Sequence, residues 1–280
     1  MTPVTATSLR ELWVHTGTAC NLECPFCLED SKPGDTRLQR VMLADLKPHL
    51  DDAARLGVER FVFTGGEPLI VKDIAKILHY ALELKPCLIL TNGTAPLIKR
   101  AHQLQLLKQR PQALSFRVSI DHPDERLHDA ERGWGNFKRA IEGIKILLHT
   151  GFEVSIARHA SDGENTNEII ARYRELFKKN GLPENLRLTP WPELGRPGKV
   201  PTASPPSDDE IAHCRHALMC RDTRMVLKRD GQVRVYACAL TDDDVRFDLG
   251  PSLPQSLPRA VQLIHARCGQ CVRRGVSLGN

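Results

Sequence analysis

Between residues 11 and 190 the sequence alternates short runs rich in β-branched and aromatic residues with longer amphipathic stretches. A chain built this way joins each strand to the next through a crossover helix, which is the pattern of an α/β fold around a parallel sheet. Strands are expected at 11–17, 59–64, 87–92, 114–120, 153–158 and 186–190. Helices are expected at 41–56, 72–84, 96–109, 136–150 and 166–180, the last two stopping at Gly151 and Gly181, where a left-handed residue ends a helix at least cost. Six strands with five clear helices suit an incomplete barrel whose functional loops gather at the carboxy-terminal ends of the strands.

The rhythm stops at residues 191–207, where Trp191-Pro192-Glu193-Leu194-Gly195-Arg196-Pro197-Gly198 and Pro201, Pro205 and Pro206 are too rich in Pro and Gly for a regular element. The domain boundary is therefore placed there, with a core over 1–200 and a small domain over 201–280. The second part reads as a helix near 208–219, two β-like runs at 224–229 and 232–237 split by Asp230-Gly231, a hairpin signal, and a short helix near 257–266.

Composition narrows the function classes. The 39 basic and 34 acidic residues leave a net charge of +5 without a long basic block or interleaved aromatics, so nucleic acid is not indicated as a partner. No run of 18 apolar residues occurs, and Met1-Thr2-Pro3-Val4-Thr5 lacks a charged region leading into an apolar one, so no membrane association and a cytoplasmic location are expected.

Nine cysteines are an odd number, and three of them crowd into Cys20-Asn-Leu-Glu-Cys24-Pro-Phe-Cys27. In a reducing compartment such clustering reads as metal ligation. The C-x3-C-x2-C spacing lets one loop wrap three thiolates around an iron-sulfur cluster and leaves one iron without a protein ligand, open to a cofactor or substrate. A zinc site is the alternative; it needs a fourth ligand, for which His15 on the preceding strand is the nearby candidate.

This loop, with Gly65-Gly66-Glu67-Pro68 and Thr91-Asn92-Gly93-Thr94, resembles the radical SAM superfamily. Val118-Ser119-Ile120-Asp121 and the stretch from His128-Asp129 to Arg132-Gly133 are similar to the branch that carries carboxy-terminal SPASM or twitch cluster domains. The resemblance implies a partial (β/α)6 TIM-like barrel, a [4Fe-4S] cluster on Cys20, Cys24 and Cys27, and S-adenosylmethionine (SAM) chelated to the open iron. It places Gly65, Gly66 and Glu67 beside the SAM amine, Ser119 and Arg132 at its carboxylate, and Phe26 and Leu188 around its adenosyl part. Glycines allow close backbone approach to a ligand, and a carboxylate adds a charge-assisted bond to an ammonium. Reductive cleavage of SAM would then yield a 5′-deoxyadenosyl radical that removes a hydrogen atom from the substrate.

Farther along, Cys220, Cys238, Cys268 and Cys271 supply four thiolates from a hairpin and a following turn, enough for a second [4Fe-4S] cluster, and they resemble the twitch domain. Structural zinc is the alternative for these four as well. Cys214 is an alternative to Cys220 as ligand, and Cys87, within an apolar strand, is expected to be a core thiol.

His15, His122, Arg158 and His159 fall near strand ends and Asp121 closes the fourth strand, so all are candidates for the barrel mouth; Arg196 is a candidate for the space between the two parts. The expected function is hydrogen abstraction from a small metabolite or natural-product intermediate, with net oxidation or rearrangement, supported by a flavodoxin- or ferredoxin-type electron donor. Modification of a ribosomal peptide is the second enzyme reading; residues 1–10 leave no room for a fused peptide-recognition domain, so it requires a separate leader-binding partner or recognition by the barrel itself. A non-catalytic iron-sulfur or zinc-binding protein is the third.

Overall fold

The computed structural model describes residues 3–161, 163–192, 194, 206–214 and 218–274. Its first part runs β1 (Glu11–His15), α1 (Leu43–Arg55), β2 (Arg60–Thr64), α2 (Ile74–Leu84), β3 (Cys87–Thr91), α3 (Ala95–Leu106), β4 (Leu114–Ser119), α4 (Glu125–Arg132), α5 (Asn136–His149), β5 (Glu153–Ala160), α6 (Thr166–Lys179) and β6 (Arg187–Pro192). Then come α7 (Asp208–Cys214), β7 (Thr223–Arg229), β8 (Gln232–Tyr236), α8 (Leu253–Ser256) and α9 (Ala266–Arg274).

Strands β1 to β6 are mutually parallel and neighbour one another in chain order, as a partial (β/α)6 barrel requires. Alternate strand residues point to opposite faces. One set, including Leu12, Val14, Phe61, Phe63, Ile89, Phe116 and Ile156, meets Leu46, Ile77, Leu97 and Ile144 of the helices in the larger core. The other set, including Trp13, Val62 and Leu88, fills the inner side together with Met225 and Leu227.

The carboxy-terminal hairpin continues the same sheet. β7 lies parallel to β1, with Glu11 opposite Thr223 and Val14 opposite Val226, and β8 pairs antiparallel to β7. Its turn falls on Asp230 and Gly231, both at positive φ as a two-residue type I′ turn requires. The boundary placed at residue 200 and Arg196 both lie outside the described residues. The helix expected over 257–266 is replaced by α8, which begins earlier because Ser252 caps it and Pro254 stands in its first turn, and by α9, which carries Cys268 and Cys271. No described helix is long and apolar enough to cross a membrane.

Candidate active site

The three cysteines of the amino-terminal loop open onto a cavity of ≈ 200 Å³ at the carboxy-terminal ends of the strands. Phe26, Gly65, Gly66, Ser119 and Arg132 share its wall with Trp13, Leu90, Trp191 and Leu194. The loop is held backbone to backbone. Gly66 donates its N–H to the Gly17 carbonyl at 2.9 Å, and Glu67 donates to the Ala19 carbonyl at 3.0 Å. A Cβ on Gly66 would lie 2.2 Å from that Ala19 oxygen, and Gly65 stands at φ +137°, so only glycine fits this approach.

The end of β3 clamps the loop from the other side. Asn92 Nδ2 donates to Asn21 Oδ1 at 3.0 Å, and Asn21 Nδ2 donates to Thr94 Oγ1 at 3.0 Å. Within the loop, the N–H groups of Leu22 and Ser31 point at the sulfurs of Cys20 and Cys27 at 3.4 and 3.5 Å. Such donors favour thiolate, the ligating form. Burial, reinforced by Glu67, pushes the free Cys20 thiol up to about 12, and burial likewise raises Cys24 and Cys27. A cluster bound here therefore displaces thiol protons as it forms.

Glu67 is 1% exposed, and its carboxylate is already engaged. Oε1 accepts from the Leu69 N–H at 3.0 Å and from Thr91 Oγ1 at 2.9 Å, while Oε2 accepts from the Asn92 N–H at 2.8 Å. Glu67 thus ties the turn after β2 to the end of β3 and stands behind the cavity wall formed by the two glycines.

Arg132 closes α4, a helix that Asp124 caps by accepting from the N–H groups of Arg126 and Leu127 at 2.8 and 3.2 Å. Its guanidinium pairs with Asp121 through both Nε and Nη2 and lies 5.4 Å from the centroid of the Phe26 ring. Burial opposes its charge, but Asp121 and the nearby thiols outweigh burial and hold the guanidinium above its ordinary value. His159 stacks on the same Phe26 ring at 5.2 Å, and Arg158 lines the cavity beside it.

Leu188 lies apart from the other expected contacts. It is partly buried in the core between sheet and helices and does not line the cavity. Strand alternation explains this: Trp191, three residues on, faces inward, so Leu188 faces outward. His122 is absent from the described cavity wall as well, and His15 lies buried deeper, against Glu29 and Asp242.

Cys220, Cys238, Cys268 and Cys271 line a second cavity, closed by Leu218, Leu240, Phe247, Val261 and Leu263. Cys214 sits partly buried beside this core, and Cys87 is buried in the larger one. Burial raises Cys220 well above its ordinary range and Cys238 to about 11. Tetrahedral zinc with bonds of about 2.3 Å places its sulfurs about 3.8 Å apart. Among the described residues, the group of three ligand atoms within 4.8 Å of one another is His15, Glu29 and Asp242, and no cysteine belongs to it. Four thiolates around one cavity are a donor set that suits a closed iron-sulfur cluster as well as tetrahedral zinc.

Sequence reasoning missed α4 and the buried Arg267. Arg267 donates to the carbonyls of Leu28 at 3.0 Å and Leu240 at 3.1 Å, joining the first cysteine loop to the segment that follows Cys238. Its position one residue before Cys268 is the only sequence signal for that role.

Comparison with known proteins gives the family. The family model for the radical SAM superfamily matches residues 14–176. The AdoMet-dependent heme synthase of Oleidesulfovibrio alaskensis is 30% identical over 179 residues, covering 62% of this chain and 42% of the relative. The antilisterial bacteriocin subtilosin biosynthesis protein AlbA of Bacillus subtilis is 33% identical over 140 residues, 49% of this chain and 30% of that one. The chain therefore spans less than half the length of these two relatives. The Streptococcus suis SuiB structure bound to S-adenosylmethionine superposes with a TM-score of 0.64 at 17% identity, over 87% of this chain and 63% of that chain, and so shares the fold.

Proposed function

Because the chain belongs to the radical SAM superfamily, we propose that it is the catalyst of a hydrogen abstraction from a small organic metabolite, with net oxidation or rearrangement of that substrate. The observation that carries this reading is the convergence of Cys20, Cys24 and Cys27 on one cavity whose remaining wall is the Gly65-Gly66 turn, Ser119 and Arg132. A [4Fe-4S] cluster and SAM, the cofactors of this superfamily, supply one-electron chemistry when bound.

The chain's own residues do the holding and excluding. Cys20, Cys24 and Cys27 are the cluster ligands. The cavity-lining backbone of Gly65 and Gly66 would receive the SAM amine, and Glu67 keeps that turn in place from behind. Ser119 donates to the SAM carboxylate, and Arg132, fixed by Asp121, provides the positive charge beside it. Phe26, held between Arg132 and His159, covers the adenosyl part. Trp13, Leu90, Trp191 and Leu194 form an apolar wall that keeps water and stray hydrogen donors from the reacting carbon.

Cys220, Cys238, Cys268 and Cys271 would hold a second cluster, and residues 201–280 would serve as a twitch-type domain, whose β7 lies beside β1. The enclosed sulfur-lined cavity supports that reading. A cluster held there would supply an acceptor for the electron left on an oxidised substrate, which is the oxidoreductase reading. A flavodoxin- or ferredoxin-type protein donates the first electron.

Peptide modification is the second reading, favoured by the 33% identity over 140 residues to AlbA, a bacteriocin biosynthesis protein. The test is to supply the reduced, reconstituted protein with SAM and either the low-molecular-mass or the peptide fraction of a cell extract, and to follow 5′-deoxyadenosine. Formation stimulated by the small-molecule fraction supports the proposal. Stimulation by the peptide fraction alone replaces it with the second reading.

A further inference from the structure

Three side chains outside the cysteine sets converge where the end of β1, the first cysteine loop and the turn after Cys238 meet. His15 Nε2 lies 3.3 Å from a Glu29 oxygen and 3.6 Å from an Asp242 oxygen, and one donor atom from each residue lies within 4.8 Å of the other two. His15 and Asp242 are 0% and 1% exposed. His15 Nε2 and both carboxylate oxygens of Asp242 meet no donor in strict hydrogen-bonding geometry among the described residues, and the Glu29 carboxyl lies close enough to share a proton with Asp242.

Two carboxylates cannot face each other in a buried place without a proton or a cation between them. We propose that His15, Glu29 and Asp242 form a binding site for one divalent first-row metal ion, with ligands separate from both cysteine sets although Glu29 also lines the first cavity. One imidazole nitrogen and two carboxylate oxygens are a donor set suited to Mn²⁺, Fe²⁺ or Zn²⁺.

The surroundings agree. Burial raises Asp242 well above its usual range and keeps His15 below its ordinary value, so the imidazole is neutral and able to ligate. The neighbouring cations hydrogen-bond to other groups, although Arg267 and Arg37 lie close enough to offset part of the Glu29 charge. Arg37 pairs with Asp35, Arg267 pairs with Asp243, and Arg229 donates to the Asp242 carbonyl at 2.7 Å. His15 Nδ1 accepts from the Gly17 N–H at 3.2 Å, so ligation through Nε2 moves the ring proton to Nδ1 and gives up that one long bond. In exchange the ion joins three chain segments that no covalent bond connects here, pinning the cysteine loop to the carboxy-terminal part.

The test uses protein reconstituted anaerobically with iron and sulfide, so that the cysteines are occupied, and titrates Mn²⁺ while free ion is counted by electron paramagnetic resonance. The expected result is one tight Mn²⁺ per chain in the wild type, a melting temperature that rises with Mn²⁺ concentration, and loss of both effects in Asp242→Asn and Glu29→Gln. Absence of Mn²⁺ binding by the wild type overturns the proposal and leaves a shared proton as the charge balance. Equal binding by the wild type and by either folded variant also overturns it. Glu29→Gln keeps the shape of the side chain, and the wild-type melting shift does not depend on any variant folding. Because His15, Glu29 and Asp242 belong to neither cysteine set, failure of the cluster assignment shows in the iron count and not in this titration.

Discussion

The backbone N–H of Glu67 donates to the carbonyl of Ala19 across 3.0 Å, immediately before the first cysteine. The turn after β2 and the cysteine loop are thus one folded unit, and the glycines of that turn serve the loop as much as any ligand. A Cβ at Gly66 would lie 2.2 Å from the Ala19 oxygen. Gly66→Ala is expected to cost about 1–3 kcal/mol through overpacking and to lower iron retained at the first site. Urea unfolding and an iron assay after gel filtration check both parts.

Arg267 is 0% exposed and pairs with Asp243 while donating to the carbonyls of Leu28 and Leu240. Its replacement by Met leaves two carbonyls without their donor and Asp243 with His265 as its remaining charged partner. Breaking a buried pair of this kind is expected to cost about 3 kcal/mol, read as a lower urea midpoint, with the segment around Leu240 losing protection in amide hydrogen exchange.

His128 is 1% exposed, and burial, assisted by Arg132, lowers it to about 4. In the unfolded chain a histidine titrates near 6.5, so between pH 6.5 and 4 the unfolded state takes up a proton that the folded state refuses. Stability from this group is complete above the unfolded value and falls as the solution is acidified. Between pH 7 and 5 the loss is expected to be about 2 kcal/mol. His128→Gln should remove that part of the acid sensitivity, as shown by urea unfolding at the two pH values.

The strands and most crossover helices were legible in the sequence because their apolar periodicity is local. α4 was not: Glu125–Arg132 is dominated by charged residues, and its only local sign is Asp124 at the cap. The pairing of β7 with β1 joins Thr223 to Glu11, residues too far apart in sequence for any local pattern to record the register. Cys20, Cys24 and Cys27 stood out through spacing alone. The engagement of Glu67 by Leu69, Thr91 and Asn92 did not, since two of those donors are backbone N–H groups whose direction depends on tertiary structure. His15, Glu29 and Asp242 come from three separated segments, and only folding brings them within reach of one another.

The most direct measurement is an anaerobic reconstitution that counts iron per chain and follows 5′-deoxyadenosine after reduction with dithionite, in the wild type and in the Cys20/Cys24/Cys27→Ala variant. About eight irons in the wild type, falling to about four in the variant with loss of 5′-deoxyadenosine, is the expected result for two [4Fe-4S] sites of which only the first engages SAM. Zinc in place of iron, or 5′-deoxyadenosine undiminished in the variant, would contradict the assignment of the amino-terminal cysteines as the catalytic centre.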